Sequence, residues 1–212
     1  MRFAEDMLRL YAVTDRSWTG RQTLCEQVEQ ALMGGATCVQ LREKEMERGA
    51  LVAQAREIKA LCARYGVPLI INDDAALAVE VDADGVHVGQ EDMAAQQARR
   101  LIGPDRILGV TAKTVEQALR AQEAGADYLG SGAIFGSATK LNARPMTREL
   151  LKAICASVSI PVAAIGGISR RNIASLAGTG IRGAAIVSGI FAAEDIEAEC
   201  RFLRAEIERI VG

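Results

Sequence analysis

The sequence predicts a closed (β/α)₈ barrel, an α/β fold, on three observations. Short β-branched apolar runs recur about eight times, stretches with helical spacing lie between most of them, and the polar clusters fall just after the runs. The runs are Leu8–Val13, Thr37–Leu41, Val67–Ile71, Gly85–Val88, Ile107–Val110, Tyr128–Gly130, Pro161–Ile165 and Ala184–Val187. They lack polar alternation, which marks strands buried on both faces, as in a parallel sheet.

Between the runs the period changes. In Leu24–Met33, for example, Leu24, Val28, Ala31 and Leu32 fall on one helical face. Helical stretches stop at Gly35, Gly66, Gly125 and Gly180, where glycine can take the left-handed conformation that ends a helix. An open doubly wound sheet competes with the barrel. The count of eight favours closure, and no Gly-x-Gly-x-x-Gly fingerprint follows the first run. A single barrel domain over residues 1–212, with short loops, is expected.

Composition narrows the function. Half of the 212 residues are hydrophobic and the net charge is −2, so neither a basic arm nor an Arg-rich stripe suggests nucleic acid. Cys25, Cys38, Cys62, Cys155 and Cys200 include no Cys-x-x-Cys pair, and they read as reduced thiols rather than as a zinc or disulfide framework. The longest apolar stretches, Ile160–Ile168 and Ala184–Ala193, fall short of the ~20 residues that span a bilayer. Acids at the N-terminus stand where a signal peptide would be apolar. A cytoplasmic protein without membrane partners is expected, and a homo-oligomer is compatible with the composition.

Barrel chemistry sits at the C-terminal ends of the strands. Those positions carry Thr14-Asp15, Gln40-Leu41-Arg42-Glu43-Lys44, Asn72-Asp73-Asp74, His87 with Glu91-Asp92, Thr111, Ser137-Ala138-Thr139-Lys140, Gly166-Gly167 and Ser188-Gly189. The two acidic clusters offer hard oxygen ligands suited to magnesium, although Asp74 could instead cap a helix and Glu91 could be solvated. Arg42 and Lys44 suit a phosphate, and otherwise form a solvated charge run. The glycines after the seventh and eighth runs suit a phosphate held on backbone N–H groups, and otherwise serve as turns. His87, the only histidine, reads as a hydrogen-bonded packing residue rather than as an acid, base or ligand.

Taken in order, several segments resemble the thiamine-phosphate synthase family across nearly the whole chain. They are Leu10-Tyr11-Ala12-Val13-Thr14-Asp15, Gln40 to Lys44, Asn72-Asp73-Asp74, Gly85 to Asp92, Gly125 to Gly130, Thr139-Lys140 and Ala164 to Ile168. The resemblance implies a magnesium-dependent transferase that joins two small phosphorylated substrates. These are a hydroxymethylpyrimidine diphosphate and a hydroxyethylthiazole phosphate; the products are thiamine phosphate and pyrophosphate. It also implies site roles. Gln40, Leu41, Arg42, Glu43, Lys44, Asn72, Thr111 and Lys140 would hold the pyrimidine diphosphate, with Arg42, Lys44 and Lys140 stabilising the departing charge. Asp73 and Asp92 would bind magnesium. Ser137, Ala138, Thr139, Gly167, Val187 and Ser188 would hold the thiazole phosphate.

Two segments depart from the family pattern. Thr111-Ala112-Lys113 stands where serine and, two residues on, histidine are common. Ala133 to Lys140 lacks a proline and some of the usual threonines. Alternatives are a related thiazole tautomerase, a non-catalytic binder of thiamine intermediates and an unrelated phosphate-binding isomerase. The tautomerase would be expected to use histidine at position 113 and to lack the paired acids, and the isomerase leaves those acids unexplained.

Overall fold

The computed structural model describes residues 3–20, 22–43, 45–136 and 145–211. Eight strands close into one parallel barrel in sequence order: β1 (Leu10–Val13), β2 (Cys38–Leu41), β3 (Leu69–Asn72), β4 (Gly85–Val88), β5 (Ile107–Thr111), β6 (Tyr128–Gly132), β7 (Val162–Ile165) and β8 (Gly183–Ile186). The ring closes where β1 pairs in parallel with β8, Tyr11 beside Ala185. Closure rules out the open sheet. All eight expected runs are strands, with ends displaced by a few residues: Leu8 belongs to a 3₁₀ turn, and β6 continues to Gly132.

The helices are α1 (Leu24–Met33), α2 (Arg48–Arg64), α3 (Ala75–Glu80), α4 (Ala95–Ile102), α5 (Val115–Glu123), α6 (Arg148–Ser157), α7 (Ser188–Phe191) and α8 (Ile196–Val211). Helix α1 begins in a capping box, with Thr23 and Glu26 each satisfying the other's backbone N–H. The glycines read as helix stops are left-handed, with φ of 94° at Gly35, 67° at Gly66 and 84° at Gly125. Gly180 differs, because the segment before it holds only a 3₁₀ turn, Ile173–Leu176. Its first residues close a tighter turn, in which Ser169 N–H donates to Asn172 Oδ1 at 2.9 Å.

The N-terminal face of the barrel repeats one device. A polar residue just before an even strand accepts a backbone N–H from the preceding odd strand. Thr37 Oγ1 accepts from Leu10 at 2.9 Å, Asp84 Oδ2 from Leu69 at 2.8 Å and Asp127 Oδ2 from Leu108 at 2.7 Å. Cations brace the two carboxylates, Lys59 on Asp84 and Arg99 on Asp127, each at 2.6 Å. These groups serve the barrel's stability and leave the opposite face to chemistry. The cysteines are free, and burial pushes the thiols of Cys62 and Cys200 up to about 12, so they stay protonated packing groups. Among the described residues no helix is long and apolar enough to cross a membrane.

Candidate active site

One cavity opens at the C-terminal mouth, and every strand contributes to its lining. Tyr11 and Val13 come from β1, Gln40 from β2, Asn72 from β3, His87 from β4, Thr111 from β5 and Tyr128 from β6. Ala163 and Ile165 come from β7, and Ala185 and Ile186 from β8. Gly167, Val187, Ser188, Arg42 and Lys113 sit on the rim loops. Among the described residues the lining holds two cations, Arg42 and Lys113, and no carboxylate. Such a surface favours an anionic guest.

Arg42 is oriented from β1. Its backbone N–H donates to Thr14 Oγ1 at 3.0 Å, and its guanidinium lies 3.6 Å from Asp15 Oδ2. Asp15 also accepts from Ser17 N–H, which steadies the turn that carries it. Strand alternation sends the neighbours the other way. Leu41 joins the core between barrel and helices, and Glu43 points into a second, adjoining cavity. Glu43 pairs with Arg16 at 2.9 Å, while its Oε1 is buried with no hydrogen-bond partner among the described residues. Burial pushes the Glu43 carboxyl up, and the Arg16 guanidinium opposes that shift.

Asp73 and Asp74 lie behind Asn72, which lines both cavities. Asp73 has φ of 64°, a left-handed conformation that aspartate tolerates better than most residues, and its N–H donates to His87 O at 2.8 Å. That bond ties the end of β3 to β4. Asp74 serves as a helix cap: its Oδ1 accepts from Leu77 N–H at 2.8 Å, and its Oδ2 meets Arg48 at 2.6 Å. Asp92 is exposed, and its Oδ2 accepts from Gly89 N–H at 2.7 Å, leaving Oδ1 for another partner. Glu91 is exposed as well. Asp73 and Asp92 are the carboxylates here that could hold magnesium, which takes one or two carboxylates and fills its remaining positions with water and substrate phosphate. A cluster of three or more His, Cys, Asp or Glu side chains is not needed for that, and none occurs among the described residues.

At the β7 end, Gly166 and Gly167 have φ of 102° and 66°. A Cβ at Gly166 would lie 2.5 Å from Ala133 Cα, so the backbone itself forms this part of the rim. The loop after β8 leads into α7 at Ser188.

The structure therefore brings Gln40, Arg42, Asn72, Thr111, Gly167, Val187 and Ser188 onto one cavity. Asp73 lines the adjoining one, and Asp92 lies on the loop after β4. Lys44, Ser137, Ala138, Thr139 and Lys140 lie outside the described residues. Sequence reasoning passed over Tyr11 and Tyr128 because each sits inside an apolar run. A tyrosine inside each of two buried strand runs was the available signal.

The family model described as thiamine monophosphate synthase matches residues 10–190. Thiamine-phosphate synthase 2 of Streptococcus pneumoniae is 45% identical over 207 residues, covering 98% of this chain and 99% of that protein. The thiamine-phosphate synthase of Ruminiclostridium cellulolyticum is 48% identical over 194 residues, covering 92% of each chain. The solved structure of thiamine phosphate pyrophosphorylase from Pyrococcus furiosus has a TM-score of 0.90 at 36% identity and covers 98% of this chain and 99% of its own.

Proposed function

The chain belongs to the thiamine monophosphate synthase family, and on that premise we propose how its residues divide the work of making thiamine phosphate. The reaction breaks the bond between the pyrimidine methylene carbon and the diphosphate, and forms one from that carbon to the thiazole nitrogen. Pyrophosphate leaves. No enzyme nucleophile is required, so the protein's tasks are charge neutralisation and alignment. The observation that carries this reading is the mouth cavity, lined from all eight strands, cationic on its rim and, among the described residues, without a carboxylate in its lining.

In this reading Gln40 and Asn72 hold the pyrimidine ring, and Arg42, with Lys44 and Lys140, holds the diphosphate. Asp73 and Asp92 hold magnesium, which when bound neutralises charge on the leaving group. The thiazole phosphate rests on Gly167, Val187 and Ser188, joined by Ser137 to Thr139. Leu41 contributes through its backbone, because its side chain is in the core. Glu43 acts from behind, holding Arg16 beside the β2 end.

The direct test mixes purified protein with both substrates and magnesium. The expected products are thiamine phosphate, read by mass, and pyrophosphate. Absence of both with magnesium present rejects the reading.

Lys113 extends it. This residue stands where the family commonly has histidine, and it lines the cavity beside Thr111 as a rim cation. It is proposed as a point charge for a substrate phosphate. Lys113→Gln is expected to raise KM for one phosphorylated substrate about threefold to tenfold, the effect of losing one exposed charge-assisted bond. Varying each substrate in turn identifies which one; two unchanged KM values exclude Lys113.

A further inference from the structure

Five side chains form an unbroken polar chain across the cavity floor. Gln40 Nε2 donates to the Tyr11 hydroxyl at 2.7 Å. The Tyr11 and Tyr128 hydroxyls lie 2.8 Å apart, Tyr128 lies 3.1 Å from His87 Nδ1, and His87 Nε2 lies 2.9 Å from Thr111 Oγ1. All five residues line the cavity. Barrel interiors are usually filled by branched aliphatic residues, so a polar layer here calls for a reason.

Room for the layer is built in. A Cβ at Gly109 on β5 would lie 2.2 Å from Tyr128 Cζ and 2.5 Å from His87 Nδ1. Phe3 stacks on Tyr128 with ring centroids 5.9 Å apart, which fixes the ring from below. Burial raises both phenols well above their usual range, so Tyr11 and Tyr128 keep their protons.

One direction along the chain satisfies every member. A hydroxyl has one proton to give. Tyr11 accepts from the Gln40 amide, and passing its own proton on to Tyr128 carries that sense along the floor. Tyr128 then gives its own to His87 Nδ1, which must be unprotonated to accept it. With Nδ1 accepting, the ring proton is on Nε2 and is given to Thr111.

We propose that the Gln40–Tyr11–Tyr128–His87–Thr111 chain is a polarity lock that holds His87 as the Nε2–H tautomer and makes Thr111 a hydrogen-bond donor to the pyrimidine diphosphate. Its acceptor is a ring nitrogen or a phosphate oxygen of that substrate. The same polarity leaves Gln40 Oε1 as an acceptor at the other end of the floor. Tyr11, Tyr128 and His87 are positioning residues that act through Thr111. The inference rests on the proposed function for the identity of the substrate; the lock itself is a property of the free protein.

The test uses the fact that His87 is the only histidine. Nitrogen NMR of ¹⁵N-histidine-labelled protein, without substrates, reads the tautomer with no assignment step. The expected result is a protonated Nε2 and an unprotonated Nδ1; a proton on Nδ1 overturns the lock whether or not the protein makes thiamine phosphate. Tyr128→Phe is expected to remove the Nε2–H preference, and Tyr11→Phe serves if that variant does not fold. Thr111→Val should raise KM for the pyrimidine diphosphate about tenfold and leave KM for the thiazole phosphate unchanged, with Thr111→Ser restoring it. Tyr128→Phe should add little in the Thr111→Val background, since both remove one donor. An unchanged tautomer in Tyr128→Phe, or additive effects in the double variant, would reduce the chain to packing.

Discussion

Asp73→Asn is expected to lower turnover by about 100-fold and to raise the magnesium concentration needed for half-maximal rate by at least about tenfold, the scale of losing one charge-stabilising group at a reacting centre. The substitution is chosen for its backbone. Asp73 sits at φ of 64°, where asparagine is tolerated but alanine is strained, and the N–H that donates to His87 O is unchanged. The substitution keeps the side chain's size and the backbone bond, so the β3 end should stay folded, which thermal unfolding checks. Calorimetric titration with magnesium in the presence of pyrophosphate supplies a readout independent of turnover, and it should show weaker binding. Asp92→Asn should act in the same direction, because the amide oxygen can still accept from Gly89 N–H. Normal magnesium dependence in both variants would remove the two acids from the metal site.

The fold was legible because buried parallel strands write themselves as continuous apolar runs, and because left-handed glycines punctuate the helices. Both signals are local. The missing helix after β7 was less legible, since Ser169 to Leu176 carries polar and apolar residues in a mixture that suits a helix or a turn. The site was legible where polar residues follow a strand, as at Arg42, Asn72 and Thr111. It was illegible where the polar atom sits at the tip of a core residue. Tyr11 and Tyr128 are almost fully buried and pack like any aromatic, yet their hydroxyls carry the floor of the cavity. Asp74 shows the converse. The sequence offers it both as an oxygen ligand and as a helix cap, and the structure shows it capping α3. His87 combines two readings: it is a hydrogen-bonded packing residue, and it also lines the cavity. Lys113 likewise passes from an unexplained departure to a cation on the rim.

Arg42→Gln is expected to reduce the single-turnover rate by about 100-fold to 1000-fold, the cost of removing one preorganised group from developing charge in a shielded site. The guanidinium is mostly buried, with a side-chain exposure of 14%, so its charge is weakly screened. Its anchor is the backbone N–H on Thr14 Oγ1, which glutamine keeps, so the β2 end should hold its place. Asp15 loses a partner 3.6 Å away but still accepts from Ser17 N–H, and a melting temperature within a few degrees of the parent is expected. Arg42→Lys should recover only part of the rate, because an ammonium cannot reproduce two parallel bonds to a diphosphate. The contrast with Lys113→Gln separates two kinds of cation. Lys113 is exposed on the rim and should act mainly through KM, as uniform binding does. Arg42 should act on the chemical step, because its charge meets an anion that grows as the carbon–oxygen bond breaks. A single-turnover rate for Arg42→Gln within about threefold of the parent would place Arg42 with the rim cations and leave the leaving group to Lys44, Lys140 and the metal.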